Sequence, residues 1–254
     1  MTPVILHRRG TGPAVVLLHA FPLNAKMWDE QVLVLARNFA VWAPDLPGFG
    51  AAGGRAAFAS LDELAGALHD ELTQNGVARA SIVGCSMGGY LAFAMLGAAP
   101  GLCIKLVLVN TKAAADSEPA RANRIALAQR VEREGCAFLA DEWHLGALSK
   151  ATLESRPQVV ARVRSLVREA TPAGVAAAQR AMAARPDSSN LLSSIDIPAL
   201  VVHGLDDKYV SADEARAMAA AIDGARFLGV EQAAHLPNME QSAIVTAALL
   251  DFLN

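Results

Sequence analysis

Ser86 stands in Gly84-Cys85-Ser86-Met87-Gly88, a G-x-S-x-G pattern set between the apolar run Ala80-Ser81-Ile82-Val83 and a helix-like segment from Tyr90 to Ala99. A serine hydroxyl is too weakly acidic to attack a carbonyl unaided. It needs a sharp strand-to-helix turn that exposes its oxygen and a base that takes its proton. Gly84, Gly88 and Gly89 remove the Cβ atoms that would crowd such a turn. An acid and a base follow in chain order: Asp207 in Gly204-Leu205-Asp206-Asp207, and His235 in Gln232-Ala233-Ala234-His235-Leu236-Pro237. Each lies just beyond a strand-like run. The order predicts Ser86 as nucleophile, His235 as base, and Asp207 as the carboxylate that fixes the imidazole tautomer. Asp206 competes with Asp207, and because adjacent side chains diverge only one of them can face the histidine. The plainer alternative for the serine motif is a glycine-rich turn that packs a helix on a sheet. His7, His69 and His144 fall on an early strand, a helix face and a helical insertion, where packing or polar roles suffice. Asn110 ends the strand after the serine helix and is not an acid, so no carboxylate is expected from that strand end.

Attack on a carbonyl also puts negative charge on oxygen, and donors must be held where that charge develops. The amide of Met87, next after Ser86 and at the start of the helix, fits this need because helix N-termini carry unpaired N–H groups. A second amide is expected from Phe21 in His19-Ala20-Phe21-Pro22, just after an early apolar run. The alternative for this stretch is a simple turn with an aromatic wall residue.

The elements that must position these groups are legible as an alternation. Strand-like runs cover Val4 to Arg8, Ala14 to His19, Ala40 to Ala43, Ser81 to Gly84, Lys105 to Asn110, Ala199 to His203 and Ala225 to Gly229. Between them, apolar residues recur at helical spacing over Met27 to Arg37, Leu61 to Gln74, Tyr90 to Ala99, Ala212 to Ala221 and Ile244 to Leu253. Such alternation predicts an α/β fold, a mostly parallel sheet covered on both faces by helices. It breaks from Thr111 to Ser194, where Pro119, Pro157 and Pro172 sit at helix-starting positions and Thr171 precedes the last as an N-cap. Residues 112–194 are therefore read as a helical lid inserted into a core of residues 1–111 and 195–254. The alternative is a packing layer with no part in substrate choice.

With 254 residues, 53% of them hydrophobic, the chain can fill one sizeable core. A formal net charge of -3 offers no electrostatic reason to expect nucleic acid or an anionic membrane as partner. No long apolar run or signal-like start is present, so a cytoplasmic location is expected. Cys85, Cys103 and Cys136 match neither a disulfide framework nor a zinc site and are read as buried thiols. No metal or other cofactor is expected, and nothing in the sequence sets an oligomeric state.

Together these pieces resemble the α/β-hydrolase fold superfamily over nearly the whole chain. His19-Ala20-Phe21-Pro22 is similar to its H-G-F-P oxyanion loop, and Asp45-Leu46-Pro47-Gly48-Phe49-Gly50 to its D-x-x-G-x-G turn. Gly84 to Gly89 matches its nucleophile elbow and Gly204 to Asp207 its G-x-x-D acid loop, which supports Asp207 over Asp206. Ala234-His235-Leu236-Pro237-Asn238-Met239-Glu240-Gln241 resembles its histidine segment. Ala20 and Ala234 depart from the pattern where glycine is usual. Within the superfamily, Leu108 to Thr111, Arg124-Ile125, Leu139 to Asp141 and Ala233 to Leu236 look like the 3-oxoadipate enol-lactonase branch and related small esterases. The resemblance implies a serine hydrolase acting on small-molecule esters, placed ahead of a lactonase; perhydrolase or carbon–carbon bond hydrolase chemistry would use the same residues. A non-catalytic ligand receptor on the same fold is the reading from a different class. Phe21, Trp28, Phe138, Trp143, Leu145, Leu148 and Met182 are the candidates for the wall of an apolar substrate chamber.

Overall fold

A computed structural model describes residues 4–55 and 57–254 of the chain. Met1 to Pro3, read as leading into the first strand, lie outside these residues. In chain order the strands are β1 (Ile5–Arg9), β2 (Ala14–Leu18), β3 (Ala40–Asp45), β4 (Ala80–Cys85), β5 (Cys103–Val109), β6 (Ala199–Gly204) and β7 (Arg226–Val230). The helices are α1 (Asp29–Leu35), α2 (Leu61–Gln74), α3 (Met87–Ala98), α4 (Glu118–Glu134), α5 (Leu139–Ala147), α6 (Lys150–Ser155), α7 (Pro157–Val167), α8 (Pro172–Ala184), α9 (Ala212–Ala220), α10 (Pro237–Glu240) and α11 (Ser242–Leu253). None of the described helices is long and apolar enough to cross a membrane.

The described strands form one seven-stranded sheet in the order β1-β3-β2-β4-β5-β6-β7. Only β1 runs antiparallel to its neighbour, pairing Ile5 with Asp45 and Arg9 with Val41; every other pairing is parallel. All six residues of β3, of β4 and of β6 are buried. Successive side chains on a strand point to opposite faces, so complete burial means that both faces are covered. Helix α1 packs on α11, and α2 packs on α3.

Register sets the carboxyl ends of the central strands level. Leu18 of β2 pairs with Gly84 of β4, Cys85 with Val109 of β5, and Val109 with Val202 of β6. The residues next in the chain (Phe21, Ser86, Asn110 and Asp207) therefore emerge along one edge, the place where open α/β sheets bind ligands.

Local chemistry explains where the elements start. Helix α2 begins at Leu61 because Ser60 accepts from the Glu63 amide while the Glu63 carboxylate accepts from the Ala59 amide at 2.7 Å. The helix read from Met27 to Arg37 is instead a 3₁₀ turn, Ala25–Trp28, followed by the shorter α1, since the Asn24 side chain takes the Lys26 amide and tightens that turn. Between β5 and β6 the described residues form the five helices α4 to α8, with α4 packed on α8 and α5 on α7. Thr171 accepts from the Gly174 amide and opens α8 as its spacing predicted. The cysteines are free thiols; Cys85 and Cys103 are buried, but Cys136 is only half-buried, because it sits in the short link between α4 and α5.

Candidate active site

Ser86 occupies the turn between β4 and α3 with φ 51° and ψ -112°, a left-handed backbone that costs a non-glycine residue about 1–3 kcal/mol and persists only where its surroundings enforce it. They do so here. The Ser86 amide donates to Val109 O at 2.9 Å, and the Ser86 carbonyl accepts from the Thr111 hydroxyl at 2.9 Å. A Cβ on Gly84 would lie 2.4 Å from Gly88 O, and one on Gly88 would lie 2.3 Å from Leu18 O. Both positions admit only glycine, which is why α3 can start so close to β2 and β4.

Three loops bring Ser86, His235 and Asp207 together. His235 Nε2 is 2.8 Å from Ser86 Oγ, and His235 Nδ1 is 2.9 Å from Asp207 Oδ2. A proton on Nδ1 donates to the carboxylate and leaves the Nε2 lone pair facing the serine hydroxyl, the tautomer a base requires. The Asp207 side chain is fully buried. Burial raises its carboxyl pKa, but the His235 imidazole, the Asn110 amide and the Tyr209 N–H together outweigh that and hold it below the ordinary carboxylate value. Asp206 is exposed. Tyr209 lies edge-on to the His235 ring, with centroids 4.8 Å apart.

Asn110 is the residue whose part the sequence concealed. Its Nδ2 donates to Asp207 Oδ2 at 2.7 Å and to Ala234 O at 3.0 Å, while its Oδ1 accepts from the Gly204 amide at 3.0 Å. One buried amide thus ties the ends of β5 and β6 to the histidine loop. The available signal was an asparagine at a strand's carboxyl end, where its short side chain tolerates the observed φ of 43°.

The histidine loop is gripped from the other side by Glu240. Its Oε1 accepts from the Ala234 amide at 2.8 Å and its Oε2 from the Ser149 amide at 2.7 Å. The His235 amide donates to Ala147 O at 3.0 Å. The loop that carries the imidazole is therefore fastened to the link between α5 and α6.

Met87 is the first residue of α3, and neither its amide nor that of Phe21 donates to an acceptor among the described residues. The loop before Phe21 is held by His19, whose Nε2 accepts from the Leu46 amide at 3.2 Å and whose Nδ1 donates to Ala20 O at 3.0 Å. Burial lowers the His19 pKa, which keeps the ring neutral as those two bonds require. Ala20 is fully buried and its amide points at Met27 Sδ, so this loop accommodates the alanine. Asp45 braces the same region by accepting from the Ala25 and Ala51 amides.

Ser86 and His235 open into a cavity of about 410 Å³. Phe21, Trp143 and Met182 border it, as does Tyr209. The other four wall candidates lie elsewhere. Trp28 is fully buried in the 3₁₀ turn, and Leu148 is fully buried in the core. Phe138 is covered by the Arg130 guanidinium at 3.5 Å, and Leu145 is exposed on the outer face of α5. Apolar spacing on a helix marks the face that packs, and packing against the core or a neighbouring helix is satisfied without reaching a ligand chamber. Lys112, Asp116, Asn123, Arg124 and Gln179 add a polar wall that was not among the sequence candidates. No group of three His, Cys, Asp or Glu side chains among the described residues is arranged to hold a metal ion.

A seven-stranded mostly parallel sheet with a serine on a strained strand-to-helix turn and a histidine and an acid on later loops is the architecture of the hydrolase-fold enzymes. The chain belongs to the alpha/beta hydrolase fold family, which it matches over residues 13–242. A thermophilic esterase from Thermogutta terrifontis, solved with malate bound, superposes with a TM-score of 0.94 at 37% identity, over 98% of this chain and 92% of that one. The enol-lactonase from Burkholderia xenovorans superposes with a TM-score of 0.89 at 28% identity, over 99% and 96%. The pimeloyl-[acyl-carrier protein] methyl ester esterase of Neisseria meningitidis is 29% identical over 247 residues, 94% of this chain and 93% of that protein. Uncharacterized mycobacterial proteins are 36% identical over 101 residues, a segment spanning 30% of their length.

Proposed function

We propose that this protein is a serine hydrolase that cleaves small to medium carboxylic esters through an acyl-enzyme. The observation that carries the reading is the continuous hydrogen-bonded chain from Ser86 Oγ through His235 to the buried Asp207, open to the cavity at its serine end. His235 Nε2 removes the Ser86 proton as Oγ attacks the ester carbonyl, and the Met87 and Phe21 amides receive the oxyanion. The resulting imidazolium gives its proton to the departing alkoxide, which leaves as the alcohol. Water then attacks the acyl-serine with His235 again as base, and the carboxylic acid is released. Asp207 keeps its charge throughout and stabilises the imidazolium. Helices α4 to α8, within residues 112–194, act as a lid over the core of residues 1–111 and 195–254 and shape the acyl pocket. Lactone opening is the second reading, favoured by the likeness to the Burkholderia enol-lactonase; it needs the same groups, the alkoxide staying tethered to the acyl chain.

Release of alcohol from a series of short acyl esters tests the proposal, with Ser86→Ala as the reference. That substitution is expected to lower kcat by about four powers of ten or more while the thermal midpoint stays close to wild type. A tenth of wild-type turnover in the purified variant, or no turnover of any ester or lactone by the wild type, would overturn it, the latter in favour of a binding role.

A further inference from the structure

The cavity that Ser86 and His235 border is also lined by the charged side chains Lys112, Asp116 and Arg124. Asp116, buried between β5 and α4, draws three cations: Arg124 Nε at 2.5 Å, Arg185 Nη1 at 2.9 Å and Lys112 Nζ at 3.7 Å. Burial raises the Asp116 pKa, but its bonds to Arg185 and Arg124 prevail and bring it to about 2. One carboxylate therefore faces three positive charges. Arg185 is consumed within the fold: it is 4% exposed, donates to Met182 O and Ala114 O, and lies over the Tyr90 ring. The surplus rests on the other two. Arg124 makes contacts beyond Asp116 only at 3.4 Å, to Gln179 Oε1 and Met182 Sδ. The Lys112 ammonium has no hydrogen-bond acceptor among the described residues. The Glu214 carboxylate feels the Lys112 charge, but its Oε2 is taken by the amide and hydroxyl of Ser211, and Asp207 is taken by His235 and Asn110. Asp62 borders a separate neighbouring cavity that Lys112 also lines.

One carboxylate shared among three cations leaves Lys112 and Arg124 with a surplus of positive charge at a cavity whose apolar wall includes Phe21, Leu127, Trp143 and Met182. A cation beside apolar walls loses hydration, and an anion brought to it recovers that loss through charge-assisted hydrogen bonds. From this arrangement we infer that the enzyme selects esters bearing a second, free carboxylate, such as half-esters of short dicarboxylic acids, with that carboxylate seated on Lys112 and Arg124. This specificity rests on the hydrolase reading of the same cavity and adds to it the chemical class of the substrate.

Monomethyl glutarate and methyl pentanoate, of similar length and differing by the charge, provide the test. Methanol release is expected to give kcat/KM at least about tenfold higher for the half-ester, one charge-assisted hydrogen bond being sufficient for that. Added salt should raise KM for the half-ester alone. In Lys112→Met/Arg124→Gln the ratio of the two substrates should fall to about one, and Arg124→Lys should recover part of it; thermal midpoints identify any variant that has not folded. Equal or reversed preference in the wild type, or a preference that survives the double substitution, would overturn the inference. Calorimetric titration of Ser86→Ala with glutarate separates the two readings. Glutarate binding by Ser86→Ala, with a wild type that cleaves no ester, would defeat the hydrolase proposal and leave the anion subsite standing, whereas ester cleavage without preference would do the reverse.

Discussion

Two buried aspartates serve one cavity in opposite ways. Asp207 faces a titratable imidazole, an amide and a backbone N–H, so its charge is balanced by hydrogen bonds and one mobile proton. Asp116 faces two guanidiniums and an ammonium, and no imidazole. Both carboxyls lie below their ordinary value of 3.8 for the same reason, favourable partners that outweigh burial. The difference lies in what the partners can do next. A carboxylate paired with histidine poises a proton beside Ser86; one paired with arginine fixes a field and a wall. Burial and depression of a pKa do not by themselves mark an acid that takes part in chemistry.

The comparison breaks most visibly at Asp207. Asp207→Asn should cost about 10⁴ in kcat through the wrong histidine tautomer, measured on the best ester, while Asp206→Asn should cost little. A larger loss at Asp206 would reverse the assignment of the acid.

Asp116→Asn should act on stability instead, because it leaves Arg185 buried beside an uncompensated Arg124. A loss of about 3–5 kcal/mol is expected in denaturant unfolding. The sign with pH follows: with the folded pKa depressed, the contribution is complete above about 4 and is lost as pH falls through about 2. Acid unfolding between those limits should therefore flatten in Asp116→Asn, and an unchanged acid limb would show that the Asp116 pairs contribute nothing net.

Asn110→Ala removes a bond to the Asp207 carboxylate without touching substrate, and a fall of about tenfold in kcat with KM nearly constant is expected. Asn110→Ser, which keeps a donor, should recover part of it. The smallest effect is expected at Trp143, on the wall of the cavity. Trp143→Ala should shift the ranking of esters by acyl size by about 1 kcal/mol, with acetate esters as control. A uniform drop across the series at unchanged thermal midpoint would place Trp143 within the machinery that His235 and Ser86 form.

The parts of the site legible in the sequence are those that neighbouring residues determine. Ser86 is announced by glycines whose absence of Cβ is required at Gly84 and Gly88, and Asp207 and His235 by loops that follow strand ends. Helix α2 was readable to both ends because Ser60 and Glu63 cap its start, while Asn75 and Gly76, at φ 81°, stop it. The cavity wall was not readable, since it is assembled from α4, α5, α8 and the β5 end, and only packing decides which face of each helix meets the opening. Leu145 and Trp143 are two residues apart on α5, yet one is exposed and the other borders the cavity. Asp116 precedes α4 beside alanines, with its partners four, eight and sixty-nine positions away, so no local pattern signals it.

The bonds from His235 N to Ala147 O and from Glu240 to the amides of Ala234 and Ser149 make the inserted helices a poor subject for transplantation. A chimera that receives the insertion of a relative inherits its new pocket only if the graft supplies a carbonyl at the Ala147 position and an amide at the Ser149 position. Without them the core sheet can still assemble, but the base has lost two of its moorings. Grafts that spare the short link between α5 and α6 keep both bonds, since α4 and α8 contribute neither.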